Sequence, residues 1–97
     1  MKVITATGKE YEVYLVIKGQ MIDYVHIYVN TETLTEIFDV FSNPIETEQI
    51  TVIDEENNTR KTYIGYTHLY GIQQPILVSP PGTWMIWLNR PYEEEVN

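Results

Sequence analysis

Apolar residues recur at every second position in the segments 10–17 and 21–30 of this 97-residue chain, and this period constrains the fold more than any other feature. Alternation with a period of two is typical of a β-strand that buries one face. The clearest example is the segment 10–17, where the alternating apolar residues are Tyr11, Val13, Leu15 and Ile17. With a hairpin partner at 2–7, β-rich runs at 49–54 and 60–64, and two or three more strands among 69–73, 76–79 and 83–89, about seven short strands are predicted.

Short polar turns connect several of these strands. Gly8, within the turn 7–10, can adopt a positive φ, so the segments 2–7 and 10–17 are predicted to form an antiparallel hairpin. The polar run 55–59 suits the loop of a second hairpin between 49–54 and 60–64.

The period changes to about 3.6 residues only once, near residues 32–42. The apolar positions of this segment follow the i, i+3, i+4, i+7 pattern and are Leu34, Ile37, Phe38 and Phe41. Thr31 or Thr33 is a suitable N-cap, and the helix is predicted to end at 42–44 because a proline stands at position 44. We expect this face, Phe38 included, to cover the sheet.

The order of strands, one helix and further strands predicts a mainly β, antiparallel fold. A small barrel and a two-layer sandwich are both consistent with it, with the single amphipathic helix closing one side. A parallel sheet would need a crossover helix for each strand pair, which this chain does not offer. One domain is predicted over 1–90, followed by a flexible acidic tail at 91–97.

Composition excludes several function classes. The chain has no cysteine, and its formal charge of −8 has the wrong sign for direct binding to nucleic acid. His26 and His68 stand alone, no serine lies in a nucleophile elbow, and the glycines are too scattered for a phosphate loop. We therefore expect neither an enzyme nor a bound cofactor or metal. The sequence shows no long apolar run, so neither a signal peptide nor a membrane span is expected.

The segment 21–30 carries apolar area on both of its faces. Tyr24 and Tyr28 share one face with His26, and the opposite face consists of Val25, Ile27 and Val29. Either a second sheet of the same chain or a protein partner should cover the tyrosine face, because large exposed apolar patches are rare on monomers. Tyr24 and Tyr28 are therefore candidate partner-binding residues.

Acidic side chains form a second candidate surface. Carboxylates spaced about 6 to 7 Å apart on a strand, or one helical turn apart, can imitate successive phosphates of DNA. The residues concerned are Glu32, Glu36, Asp39, Glu46 and Glu48. The alternative is that they only keep the protein soluble, as a net charge of this sign commonly does.

Two stretches, 37–47 and 63–72, resemble small uncharacterised proteins of bacteriophages and prophages. In those proteins a short helix ends in a Phe-x-x-Pro stop, and a strand pair carries a Tyr-x-Gly-Tyr-Thr-x-Leu segment. The resemblance implies a phage setting, often near tail or baseplate genes, and hence a protein of the host cytoplasm or the assembled virion.

The resemblance and the surface features together predict a non-enzymatic protein that acts by protein–protein binding, self-association included. A structural or accessory component of the virion, in the tail or head–tail region, is the first hypothesis. The alternative is an anti-CRISPR-like inhibitor of a host defence nuclease that imitates DNA through its acidic residues.

Overall fold

The computed structural model describes residues 1–30, 34–74 and 82–91. Along the chain, these residues form β1 (Lys2–Ile4), β2 (Glu10–Glu12), β3 (Leu15–Lys18), β4 (Tyr24–Asn30), α1 (Leu34–Phe41), α2 (Pro44–Thr47), β5 (Gln49–Asp54), β6 (Thr59–Ile64), β7 (His68–Gln73) and β8 (Thr83–Asn89). The predicted strand at 76–79, the two candidate N-caps, Glu32 and the tail beyond residue 91 lie outside the described residues.

The strands form two four-stranded antiparallel sheets. The first sheet has the order β2-β1-β5-β6 and the second has the order β3-β4-β8-β7. The sheets do not close on each other, which confirms the mainly β, antiparallel prediction and selects the two-layer sandwich over the barrel. Neither helix in the described part of the chain is long and apolar enough to cross a membrane.

The core lies between the two sheets and under α1. The first sheet contributes side chains such as Val3 and Ile50, which are fully buried, and the second contributes Ile27, Ile86 and Leu88. Registers place these residues side by side, because Val3 is opposite Val52 and Ile27 is opposite Ile86. Alternation along β4 therefore places one of its faces in the core, as a period of two requires.

The segment 10–17 was predicted as one strand, and the structure shows this to be wrong. It is divided into β2, which belongs to the first sheet, and β3, which belongs to the second. At the crossing, the Val13 N–H donates to the Met1 carbonyl (3.0 Å) and the Tyr14 N–H to the Tyr28 carbonyl (3.1 Å). Val13 is buried, but the register of β3 with β4 turns Val16 towards the core and leaves Leu15 and Ile17 each 38% exposed, so the predicted buried face is also wrong beyond Val13. The apolar spacing of the sequence gives no sign of this change.

The predicted helix exists, but its buried face differs from the predicted one. Ile37, Val40 and Phe41 are buried, whereas Phe38 is 52% exposed. The periodicity of a helix shows that it has an apolar stripe, but the packing angle decides which edge of that stripe faces the core. The prediction that Phe38 covers the sheet is therefore wrong.

The predicted stop at 42–44 is confirmed, since α1 ends at Phe41. The sequence analysis missed that Pro44 also begins a second helix, α2. The Asn43 side chain caps it by accepting a hydrogen bond from the Ile45 N–H at 3.1 Å. Proline suits the first helical position, because its missing N–H would have no partner inside the helix.

Candidate functional site

The two sheets differ in the charge of their strands. The strands of the second sheet contain one charged residue, Lys18. Those of the first sheet contain Lys2, Glu10, Glu12, Asp54, Arg60 and Lys61. A chain with a net charge of −8 therefore has one sheet whose strands carry no acidic residue at all.

Strand pairing assembles aromatic rings on the solvent side of the second sheet. Tyr24, His26 and Tyr28 point away from the buried residues of β4. The β4–β8 register places Trp87 directly opposite His26, and β7 adds Tyr70 next to Trp87. We refer to Tyr24, His26, Tyr28, Tyr70 and Trp87 as the outer aromatic face.

Four of the five rings of the outer aromatic face, those of Tyr24, His26, Tyr70 and Trp87, contact one another. Tyr24 and His26 are stacked with their centroids 4.2 Å apart, and the Trp87 ring lies 4.6 Å from His26. Tyr70 lies 4.5 Å from Trp87, whose indole N–H donates to Asn89 Oδ1 at 2.8 Å. Contacts at these distances hold the rings in place before any partner arrives, which lowers the entropic cost of binding.

The outer aromatic face is accessible and uncharged. Tyr70 is 58% exposed, and the other four residues are half-buried. The adjoining edge strand adds Leu15 and Ile17, each 38% exposed. Burial lowers the pKa of His26, so its imidazole is neutral at pH 7. This chemistry suits apolar contact with another surface rather than catalysis.

The predicted partner-binding residues Tyr24 and Tyr28 both lie on this face, and Tyr28 also contacts the Tyr14 ring at 5.8 Å. The period of a strand puts Trp84 and Trp87 on opposite faces of β8, but it does not show which of the two points outward. The structure packs Trp84 against the core and places Trp87 outside. Tyr70 was missed, because a bulge between Leu69 and Gly71 interrupts the alternation of β7.

The predicted acidic row is only partly exposed. Glu36 and Asp39 are exposed on α1, and the Tyr11 hydroxyl donates to Glu36 at 3.4 Å. Glu48 is exposed and caps the C-terminus of α2. Glu32 lies outside the described residues. These positions belong to two different helices rather than to one row.

Glu46 corrects the prediction of an exposed charge, since its side chain is only 3% exposed. Its carboxylate accepts hydrogen bonds from the hydroxyls of Thr5 (3.3 Å) and Thr7 and pairs with Lys9 Nζ at 2.9 Å. The hydrogen bonds from Thr7 and Lys9 hold the pKa of Glu46 below its usual value. Glu46 therefore fixes α2 to the turn between β1 and β2 and is not available to a partner.

A second polar cluster surrounds Asp23, in the turn between β3 and β4. The hydroxyl of Tyr66, which is 1% exposed, donates to Asp23 at 2.5 Å, and Lys18 and Arg90 each approach its carboxylate to 2.9 Å. Hydrogen bonds from Tyr66 and then Lys18 lower the pKa of Asp23 from 3.8 to about 2. The Arg90 guanidinium also lies 4.7 Å from the centre of the Tyr66 ring. Because Tyr66, Lys18 and Arg90 all bind the Asp23 carboxylate, we assign this cluster a structural role: it holds the turn after β3 against the segments that contain Tyr66 and Arg90.

A cavity of about 360 Å³ lies beside α1 and is lined by Leu34, Thr35, Phe38 and Ile72, none of which is titratable. Among the described residues, no group of three or more His, Asp or Glu is placed to hold a metal ion.

Neither a protein-family model nor a curated protein nor a solved structure matches this chain. Its function is therefore inferred from the surface chemistry of the two sheets.

Proposed function

We propose that this chain is a non-enzymatic phage protein that acts by protein–protein binding, as a structural or accessory component of the tail or head–tail region of the virion. The outer aromatic face is its binding surface. One observation carries the proposal: the outer aromatic face, with four rings in mutual contact, lies on a sheet that has no acidic residue in its strands, although the protein carries a net charge of −8.

The composition of the outer aromatic face matches that of protein interfaces. Tyrosine and tryptophan are enriched among the residues that contribute most to binding, because they bury a large area with few rotatable bonds. Trp87 lies at the centre, in contact with Tyr24, His26 and Tyr70. Truncation of such a central anchor commonly costs 2 kcal/mol or more of binding free energy.

The partner is expected to present a neutral, apolar surface. The outer aromatic face holds no charge that could pair with an acidic or basic partner, and a buried unpaired charge on that partner would be costly. Obligate interfaces between subunits of an assembly are more hydrophobic than transient ones, which fits a component that stays in place.

The phage setting is supported by the resemblance of 37–47 and 63–72 to phage and prophage proteins. These stretches include the end of α1, all of α2 and the connection between β6 and β7. They include Tyr63 and the buried Tyr66, whose ring centroids lie 6.0 Å apart.

The second candidate is an inhibitor of a host defence nuclease that imitates DNA. The net charge and the exposed carboxylates of Glu36, Asp39 and Glu48 favour it. It has less support, because Glu46 is buried and neutralised by Lys9.

The test uses particles of the phage that encodes the chain, purified on a density gradient and analysed by quantitative mass spectrometry. We expect the chain at a constant ratio to the other virion proteins. Tyr70→Lys should reduce its incorporation, whereas Ile64→Lys should not. Ile64 is a matched control, because it is 52% exposed on β6 of the first sheet.

A chain that is missing from the particles would contradict the virion role. Affinity for a basic nuclease that falls steeply with ionic strength would then favour the inhibitor, since screening weakens charge pairing much more than apolar contact.

A further inference from the structure

The strand β3 forms one edge of the second sheet, and within residues 1–30, 34–74 and 82–91 it pairs only with β4. The Gly19 N–H donates to the Tyr24 carbonyl at 2.8 Å, so Gly19 and Tyr24 are a hydrogen-bonded pair of this ladder. Such pairs alternate along antiparallel strands. In the β3–β4 register, the next two are therefore Ile17 with His26 and Leu15 with Tyr28. The N–H and C=O groups of Val16 and Lys18 therefore point away from β4, towards the open side of the edge.

This edge has few of the features that usually block pairing with another strand, and its one charged residue is Lys18. It has no proline or acidic residue, and its register with β4 is regular from Leu15 to Lys18. The Lys18 ammonium is already held by Asp23 and by the Gly19 carbonyl, each at 2.9 Å.

The other sheet edges are better protected. A bulge interrupts β7, and β6 carries Arg60 and Lys61. The three-residue strand β2 begins with Glu10 and ends with Glu12. Charges and bulges of this kind discourage pairing between edges.

We propose that two copies of this chain associate by antiparallel pairing of their β3 edges. A two-fold axis at Ile17 places Val16 of each copy opposite Lys18 of the other, so that each of these pairs exchanges two backbone hydrogen bonds. The two Ile17 side chains then meet across the axis as a non-hydrogen-bonded pair, the arrangement with the closest side-chain contact.

Charge favours a second copy at this edge in spite of the net charge of −8. Neither β3 nor the neighbouring β4 contains an acidic residue. The nearest carboxylate, that of Asp23, is paired with both Lys18 and Arg90. The two copies would therefore meet at a part of the surface where their acidic residues do not oppose each other.

The side chains of β3 argue for a copy of this chain rather than an unrelated peptide. Ile17 and Leu15 are each 38% exposed. With Ile17 on the axis, the apolar side chain of each copy covers that of the other, so the edge is complementary to itself.

The paired dimer would contain one continuous eight-stranded sheet, with the outer aromatic faces of both copies on the same side. The inference goes beyond the proposed function and depends on the edge of β3 alone. A dimer through β3 can exist without a virion partner, and a virion partner can bind a monomer, so the two proposals can fail separately.

The first experiment is sedimentation equilibrium from about 1 µM to about 1 mM protein, a range that detects weak dimers. We expect the mass to rise from 11.4 kDa towards twice that value. Ile17→Lys places two like charges directly across the axis and should weaken dimerisation at least about tenfold. Ile64→Lys is the matched control, with the same change of charge on the first sheet, and should dimerise like the wild type.

The second experiment is amide hydrogen exchange followed by NMR. The Val16 and Lys18 amides should exchange rapidly in dilute protein and become protected as the concentration rises, whereas the Ile17 amide should be protected throughout. Val16→Pro removes one outward donor and leaves the β3–β4 ladder intact, so it should keep the fold and lose the dimer.

A wild type that stays monomeric over the whole range would overturn the inference. Equal dimerisation of Ile17→Lys and Ile64→Lys would do the same. A dimer that is lost in Tyr70→Lys but kept in Ile17→Lys would also overturn it, because the contact would then be through the outer aromatic face.

Discussion

The two sheets have the same number of strands and the same antiparallel pairing, yet their solvent sides differ. On the first sheet, Lys2 pairs with Glu10 at 3.1 Å, and charged residues occur on all four strands. On the second sheet, the solvent side carries the five rings of the outer aromatic face. Both sheets contribute buried side chains to the shared core, so the difference lies on their outer faces. The outer face without charge is the basis of the proposed contact with another surface.

The two sheets share one core, so a cavity created in this core should destabilise both sheets at once. Phe41→Ala should cost about 3 to 5 kcal/mol of unfolding free energy, because Phe41 is fully buried and contacts Tyr11 of the first sheet. Phe38→Ala should cost less than about 1 kcal/mol, since Phe38 is half-exposed. Urea denaturation measures both, and equal losses would contradict the observed orientation of α1.

The Asp23 cluster joins the turn after β3 to Tyr66, which lies in the segment that connects β6 of the first sheet to β7 of the second. Tyr66→Phe should cost about 1 to 2 kcal/mol, because it leaves the ring in place and removes the hydroxyl bonded to Asp23. The matched control is Tyr70→Phe, which removes an exposed hydroxyl and should change stability by less than about 0.5 kcal/mol. Similar losses in both variants, measured by urea denaturation, would show that the hydrogen bond between Tyr66 and Asp23 contributes nothing to the unfolding free energy.

Glu46 in α2 and Glu48 at its C-terminus allow a buried and an exposed carboxylate near the first sheet to be compared. Glu46→Gln should lower the thermal midpoint, because it removes the charge that pairs with Lys9 and is bonded by two threonines. Glu48→Gln should leave the midpoint almost unchanged, since Glu48 is exposed. Calorimetry under identical buffer conditions tests the difference, and the opposite order would contradict the structural role of Glu46.

The Asp23 cluster also predicts a dependence on pH. The pKa of Asp23 in the folded protein is about 2, below its ordinary value of 3.8, so its contribution to stability is complete above pH 3.8. That contribution should be lost as the pH falls from about 3.8 through about 2. Solvent screening limits it to about 1 kcal/mol or less, because the Asp23 side chain is 43% exposed. Urea denaturation of the wild type and Asp23→Asn should give stabilities that converge over this interval.

The smallest effect on stability is expected on the outer aromatic face itself. Tyr70→Lys and Ile64→Lys should each change the unfolding free energy by less than about 0.5 kcal/mol, as exposed substitutions usually do. Tyr70→Lys should nevertheless reduce the binding of a hydrophobic fluorescent dye, because it interrupts a contiguous patch. Ile64→Lys alters a single exposed side chain of the first sheet. Equal dye binding by both variants would remove the distinction between the sheets.

Local sequence predicted the strands with the most regular patterns. The bounds of β5 and β8 agree with the predicted segments 49–54 and 83–89, because a period of two is a property of the backbone itself. Gly8 has φ of 93°, as its hairpin turn suggested. At Gly19 a β-carbon would overlap the Ile22 carbonyl and the Tyr24 ring, a requirement that the sequence pattern does not show.

The candidate site was predicted only in part. Tyr24 and Tyr28 could be assigned to one strand face, because residues two apart lie on the same side. Trp87 and Tyr70 join them through the pairing of β4 with β8 and of β8 with β7, which links residues far apart in the sequence. Burial of Glu46 depends in the same way on the distant turn that holds Thr5, Thr7 and Lys9.

The sequence by itself determined the β-rich class, the position of the helix, the turns and the net charge, since these follow from composition and from periods within one segment. The tertiary structure alone decided that the segment 10–17 is shared between two sheets, that Phe38 is exposed, and which rings form the outer aromatic face. The physical reason is that period and propensity are local, whereas strand order, register and packing angle depend on contacts between segments that are distant in the chain.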